Sequence, residues 1–370
     1  MPILKIVSAI DQVARLFLNP AHSLRKKAES ALMQACSREM AQFIIEDCFS
    51  QLTSRSLLQF LEEELGDPLI LDTFRPKRNG SGATRAYGPR MITHILPGNI
   101  PSISVISLVC ALLVKSSSIA KISAKSSSVS FPTLFVEGLQ SVDETLAQSI
   151  TLTSWEHGKT QLMTDAFHRA ELVILYGSDQ TIETLRPHIP REARVIVHGP
   201  KVSLGIVARE EISRQVAQDA AWDIALYDQH GCLSPHLYYL EVPTGTPNKP
   251  LPLSAVKRFA QWVSESLDKI PLPKGPTTPE QASAIQQLRG AIPLKGGTVF
   301  ASKYDLNWTV FYDPDPEFVL SPLGRTIFIK PIKALSELGN YLKPIAPYLQ
   351  AVGIAVGETR TAELLNQLGS

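Results

Sequence analysis

A chain of 370 residues, 44% hydrophobic and 19% charged, carries enough apolar side chains to bury more than one core, and its length predicts two or three domains. Its 36 Lys and Arg against 35 Asp and Glu leave a net charge of +1, with no run of like charges and no basic stripe interleaved with aromatics, so nucleic acid is not an expected partner. The four cysteines, Cys36, Cys48, Cys110 and Cys232, lie far apart without Cys-x-x-Cys spacing; neither a zinc knot nor a disulfide framework is expected, and a reducing, cytoplasmic setting is the default.

At the N-terminus Ile3, Ile6, Ile10, Val13 and Phe17 recur at helical spacing, but Lys5 and Asp11 interrupt them, which predicts an amphipathic helix and no secretory leader. Helical spacing continues to about residue 66, where Gly66, Pro68 and the polar run 78–82 end it. The nearly uncharged run 100–114 contains Pro101 and several serines and falls short of the roughly 20 residues a bilayer requires. It predicts a buried helix, and no transmembrane segment is expected.

From about residue 90 short β-branched runs alternate with helical stretches. Strands are predicted over 91–96, 119–122, 151–155, 172–176 and 194–197, and helices over 102–115, 131–139, 160–169 and 178–185. That alternation predicts an α/β fold with a doubly wound parallel sheet, in which ligands bind beyond the carboxyl ends of strands. The loops to watch are therefore Pro97-Gly98-Asn99, Ser123-Ala124-Lys125 and Gly177-Ser178.

A second α/β unit is expected from about residue 201. It has a strand over 203–207, a long helix over 210–227, a strand over 237–242, a helix over 253–267, a proline-rich loop over 271–279, and strands over 298–302, 308–312 and 326–330. The expected division is 1–200 for the helical N-terminus and nucleotide-binding domain, 201–333 for a catalytic domain, and 334–370 for a C-terminal segment returning to the first domain.

The residues able to carry chemistry each have a bland alternative. Cys232 follows Gly231 between a predicted helix and a predicted strand, where a thiol can be presented at a loop or simply buried. Asn99 sits in a tight turn ahead of a helix with proline in its first turn, so its amide can cap that helix or point at an external oxygen. Lys121 ends a strand, where a lysine is commonly solvated. The Gly177-Ser178 turn, between strand and helix, can present N–H groups to a phosphate. His230 and His236 flank Cys232 at offsets of two and four and can serve it as base or merely orient the loop; no histidine pattern suggests a metal site.

The strings Glu64-Leu65-Gly66-Asp67-Pro68, Arg85-Ala86-Tyr87-Gly88-Pro89, His94 to Pro101, Leu112-Leu113-Val114-Lys115-Ser116, Tyr176-Gly177-Ser178, Asp228 to His236, Trp308-Thr309-Val310 and Leu349 to Gly353 cover most of the chain. Together they resemble the acyl-CoA reductase family that includes the fatty acid reductase of bacterial luminescence, a branch of the aldehyde dehydrogenase superfamily. The resemblance implies an aldehyde dehydrogenase-like fold with Cys232 as acyl-accepting nucleophile and Asn99, beside the backbone N–H of Cys232, as donor to the oxyanion. It assigns Pro97, Gly98, Lys121, Ser123, Lys125, Gly177 and Ser178 to the cofactor, with Lys121 on the adenosine ribose and Gly177-Ser178 near the pyrophosphate. The implied reaction reduces a long-chain acyl thioester, presented as acyl-CoA or on an acyl carrier, to a fatty aldehyde. NADPH is expected as donor, because Ala124 stands where NAD-selective members carry a glutamate that repels a 2′-phosphate. An acyl-transferring partner enzyme and a homo-oligomer fit the same resemblance. The competing class is a Cys-His acyltransferase or thioesterase that uses no nucleotide, and a non-catalytic subunit is a third reading.

Three departures from the family pattern qualify the transfer. Ile182 replaces a second glycine after Gly177-Ser178, and Val197, with His198 beside it, stands where oxidising members have a glutamate base. Members of the family also continue past the position of Gly369 with a tail containing a Trp-His-x-Asp-Gly-like string; here the tail is expected to be dispensable, or the function weakened or completed by a partner.

Overall fold

The computed structural model describes residues 1–77, 80–98, 100–122, 130–155, 160–242 and 253–369. The chain divides into two units, Met1–Gln34 with Ala41–Pro200, and Ala35–Met40 with Lys201–Ser370.

In the first unit, apolar residues three and four apart wind α1 (Ile3–Leu18), which buries Ile3, Ile6, Ile10, Val13 and Phe17 on one face. Next come α2 (Ser23–Leu32), α3 (Arg38–Ser50) and α4 (Ser54–Leu65), and Phe17 stacks on Phe49 with ring centroids 4.0 Å apart. α4 starts where the Thr53 hydroxyl accepts from Ser56 N at 3.2 Å and stops at Gly66, whose φ of 79° a side chain would resist. A short antiparallel pair, β1 (Arg75–Pro76) and β2 (Ala83–Thr84), leads into the sheet.

The sheet elements are β3 (Met91–Ile95), α5 (Pro101–Leu113), β4 (Ser117–Lys121), α6 (Phe131–Val142), α7 (Glu144–Gln148), β5 (Ile150–Thr153), α8 (Thr160–His168), β6 (Leu172–Tyr176), α9 (Asp179–Leu185) and β7 (Arg194–His198). All its strands pair in parallel in the order β5-β4-β3-β6-β7. The order reverses between β3 and β6, so the turn after β3, which starts with Pro97 and Gly98, lies at the switch point. One face packs Ile95, Val173 and Leu175 against Met163, Ala166 and Phe167 of α8. The other meets α5, where His94 is bonded to Ser107 at 2.9 Å and to Ser118 at 3.2 Å. α6 lies close on α1 because position 138 is glycine; a Cβ there would come within 2.9 Å of Val13.

The second unit contains β8 (Val202–Val207), α10 (Arg214–Ala225), β9 (Pro235–Glu241), α11 (Leu253–Leu267), α12 (Pro279–Leu294), β10 (Thr298–Ala301), β11 (Thr309–Tyr312), β12 (Thr326–Ile332), α13 (Leu338–Leu342), β13 (Leu349–Ala355) and α14 (Glu358–Leu368). Its sheet runs β10-β11-β12-β9-β8-β13, antiparallel only between β10 and β11. Alternate residues of the strands serve two cores: Val207, Tyr238, Leu240, Val310 and Ile327 pack against α10 and α11, while Leu204, Leu237, Tyr239, Phe311 and Phe328 pack against α12, α13 and α14.

Three expectations need correction. The C-terminal segment does not return to the first unit: β13 pairs with β8, and Arg360 of α14 donates to both carboxylate oxygens of buried Glu241 at 2.8 and 2.7 Å. The helix expected over 210–227 starts at Arg214, where the Ser213 hydroxyl caps it by accepting from Val216 N, and it ends at Ala225. α12 was not expected at all; it buries only Ile285 and Ile292 and so lacks a strong apolar stripe.

Candidate active site

α10 is broken by its own backbone. Tyr227, Asp228 and Gln229 take φ values of 54°, 49° and 67°, a left-handed run without glycine. Each such residue costs about 1–2 kcal/mol, so the turn persists only if its surroundings hold it. Asp228 is held by Arg325, whose Nε lies 2.8 Å and Nη2 2.7 Å from Oδ1, and by Gly275 N, which donates to Oδ2 at 2.9 Å. Gly275 has to be glycine: a Cβ would sit 2.8 Å from Ala35 O and 3.0 Å from Asp228 Oδ2.

Gln229, fully buried, spends its whole carboxamide. Nε2 donates to Pro235 O and to Thr326 O, each at 2.8 Å, and Oε1 accepts from Thr326 N at 2.8 Å. The partner turn is left-handed too, with Leu323, Gly324 and Arg325 at φ 63°, 63° and 60°, and Gly324 N donates to Asp228 O at 3.1 Å.

Cys232 stands on the loop these contacts frame, and its side chain is exposed. Its carbonyl accepts from the Ser203 hydroxyl at 2.7 Å, and Ser234 N closes a turn onto Gly231 O at 3.0 Å. The other cysteines are withdrawn from water. Burial, with the charge of Asp228 adding to it, pushes the Cys36 thiol up to about 11. Burial, then Asp47, pushes Cys48 up to about 12, and burial raises Cys110.

His236 is an orienting residue. Its Nδ1 accepts from Ser321 N at 3.1 Å, so that nitrogen is already engaged, and burial lowers its pKa. His230 is exposed, and its backbone N–H donates to Tyr227 O at 2.9 Å.

In the first unit, Pro97 and Gly98 follow β3, and Pro97 O accepts from the Ser104 hydroxyl at 3.4 Å. Lys121 is the last residue of β4. It is half-buried, burial lowers its pKa, and its ammonium has no hydrogen bond or ion pair among the described residues. A half-buried cation at the carboxyl end of a parallel strand fits the ribose or phosphate end of a dinucleotide.

Gly177 and Ser178 form the turn from β6 into α9. Gly177 N donates to His198 O at 3.3 Å, and the Ser178 hydroxyl caps α9 by accepting from Thr181 N at 3.2 Å. Ile182 packs against the α8 core, Val197 is exposed, and His198 stacks on Tyr176 at 4.4 Å. Asn99, Ser123, Ala124 and Lys125 lie outside the described residues; the N-cap of α5 is Ile100, which has no capping side chain. Among the described residues no cluster of His, Cys, Asp and Glu could hold a metal.

The structure thus bonds Ser203 to the Cys232 carbonyl and braces the chain on either side of it through Asp228 with Arg325, Gln229 with Pro235 and Thr326, and His236 with Ser321. Sequence reading missed Arg325, Ser203 and Ser321. The one available signal was Gly324, ahead of a predicted strand.

The family model described as acyl-CoA reductase (LuxC) matches residues 1–370. The chain belongs to the acyl-CoA reductase (LuxC) family. This LuxC-family chain is 25% identical over 309 residues to the long-chain acyl-protein thioester reductase of Aliivibrio fischeri, covering 82% of this chain and 61% of that protein. It is 26% identical over 336 residues to the long-chain acyl-protein thioester reductase 2 of Photobacterium leiognathi, covering 87% of this chain and 65% of that one. It therefore spans less than two thirds of the length of these relatives. Among solved structures, the putative aldehyde dehydrogenase PutA from Anabaena variabilis superposes with a TM-score of 0.71 at 15% identity, covering 99% of this chain and 77% of that one. The glyceraldehyde-3-phosphate dehydrogenase GapN from Methanocaldococcus jannaschii, complexed with NADP, gives a TM-score of 0.69 at 12% identity, covering 100% and 79%. The LuxC-family chain has the aldehyde dehydrogenase fold. No helix among the described residues is long and apolar enough to cross a membrane.

Proposed function

We propose that this chain reduces a long-chain acyl thioester to a fatty aldehyde through an acyl-enzyme on Cys232, with NADPH as reductant. The observation that carries the reading is the exposed Cys232 thiol on a loop held at both ends, while Cys36, Cys48 and Cys110 are half-buried or buried. It is supported by membership of the family and by relatives named long-chain acyl-protein thioester reductases.

In this reading the Cys232 sulfur, as thiolate, attacks the thioester carbonyl carbon. The bond to the donor sulfur breaks, and the donor leaves as a thiol with the proton Cys232 gave up. Asn99 and the backbone N–H of Cys232 donate to the oxyanion that develops. A reduced nicotinamide, when bound, supplies the hydride that no side chain can provide. Lys121, together with Ser123 and Lys125, would hold the adenosine ribose and its 2′-phosphate, and Pro97, Gly98, Gly177 and Ser178 would border the cofactor. Because Gly177 N and the Ser178 hydroxyl are engaged within the chain, their part is to shape the turn. Val197 offers no carboxylate to activate water, which favours aldehyde release over hydrolysis. The acyl donor is a CoA or protein thioester, and the NADP-bound neighbour fits the choice of NADPH.

Mass spectrometry after incubation with a long-chain acyl-CoA tests this. An acyl adduct on Cys232 is expected, which added NADPH discharges as aldehyde with matching loss of reduced cofactor. Release of CoA and fatty acid with no loss of NADPH would overturn it in favour of a thioesterase.

A further inference from the structure

Five of the six non-glycine residues with left-handed backbone among the described residues fall in two turns, 227–229 and 323–325, and these turns are bonded to each other beside Cys232. The sixth, Lys115, lies just past the end of α5 in the first unit. We infer that turn 323–325 is a clamp that fixes the direction of the Cys232 thiol, and that Gln229 and Arg325 are positioning residues for the reaction. This rests on the reading of Cys232 as nucleophile.

The clamp grips the chain on both sides of Cys232. The carboxamide of Gln229 ties residue 229 to Pro235 O, so one side chain holds both ends of the segment with Cys232 in its middle. The same carboxamide bonds Thr326 through both N and O, which joins that segment to the residue directly after the clamp. Ser321 N reaches His236 Nδ1 on the far side of the segment, and Ser203 holds the carbonyl of Cys232 itself. The backbone around the cysteine is fixed from four directions while its side chain stays exposed.

A loop with no task beyond joining α10 to β9 needs none of this. Strained turns survive only where neighbours over-determine them, and such strain gathers where a group must be held in one geometry. Arg325 serves the clamp twice over: it pairs with Asp228 and donates through Nη1 to Leu272 O at 2.7 Å, so the fork geometry of a guanidinium is used and a lysine cannot replace it.

The test is the second-order rate of Cys232 alkylation by iodoacetamide, read peptide by peptide on the full chain, together with kcat and KM for an acyl-CoA. Gln229→Glu, isosteric but unable to donate to Pro235 O and Thr326 O, is expected to lower kcat by about 10²-fold, since an ångström of misplacement in a bound reacting geometry costs about that much, and to shift the alkylation rate, which reads the thiol's ionisation and access. Arg325→Lys is expected to lower kcat about tenfold, with a smaller shift in alkylation. In both, kcat falls while KM stays as in wild type. Val256→Ala, a truncation in the α11 core, is the control: it lowers Tm and leaves the alkylation rate per folded molecule unchanged. Wild-type rates in folded Gln229→Glu or Arg325→Lys, or an equal slowing in Val256→Ala, would overturn the clamp. If Gln229→Glu does not fold, Arg325→Lys decides alone. An absent acyl adduct on wild-type Cys232 overturns the function reading, while the alkylation series still decides the clamp.

Discussion

Asp228 and Arg325, 97 residues apart in sequence, form an ion pair whose two side chains are almost fully removed from water. Removing one partner leaves a buried charge without compensation. Arg325→Met is expected to destabilise the second unit by about 3–5 kcal/mol in urea unfolding, and adding Asp228→Asn to it is expected to recover part of that loss. An unchanged unfolding midpoint in Arg325→Met would show that the pair contributes nothing.

Asn99→Ala is expected to slow acylation by about 10² to 10³ with little change in Tm. The reason to expect no loss of stability is that the N-cap position of α5 belongs to Ile100. A large drop in Tm with an unchanged rate per folded molecule would make Asn99 a structural residue.

Lys121 is half-buried, and burial lowers its pKa. A cation that has no partner among the described residues is suited to an anionic or polyhydroxyl ligand. Lys121→Ala is expected to raise KM for NADPH more than for NADH, narrowing a wild-type preference for NADPH. Equal kcat/KM for the two cofactors in wild type, or an unchanged ratio in the variant, removes this argument.

His94 has no exposed surface, sits between Ser107 and Ser118, and is lowered by burial to about 4 from the ordinary 6.5. It is neutral in the folded chain, whereas the unfolded chain takes up its proton near pH 6.5. Its contribution to stability is therefore complete above pH 6.5, falls as the pH drops toward 4, and is lost below that. The slope approaches about 1.4 kcal/mol per pH unit and the whole effect is about 3 kcal/mol. Urea unfolding at pH 7 and pH 5 reads it, and His94→Gln, which keeps a donor and an acceptor, is expected to flatten the dependence by roughly 2 kcal/mol over that interval. The same slope in His94→Gln would assign it to other groups.

The sequence by itself determined what local periodicity and local chemistry can encode. The strand over Leu172–Tyr176 was legible because its apolar run, with β-branched Val173 and Ile174, is closed by Gly177-Ser178, and α11 was legible at both ends. Cys232 stood out through the glycine before it and the strand after it. Only the tertiary structure decided matters that depend on distant partners. β13 carries half-buried residues that suit either sheet, and the open edge of β8 chose for it. α12 was missed because a helix that buries two residues has almost no stripe to read. Ser178 reads in sequence as part of a turn whose N–H groups can face a phosphate; that its hydroxyl also caps α9 by accepting from Thr181 N shows only once α9 forms. The clamp on the cysteine loop was the least legible, since left-handed backbone at Tyr227, Asp228 and Gln229 runs against the preference of each residue. Local preference cannot announce a conformation it opposes; the free energy that holds it comes from Arg325, Thr326 and Gly275, which folding alone brings to that turn.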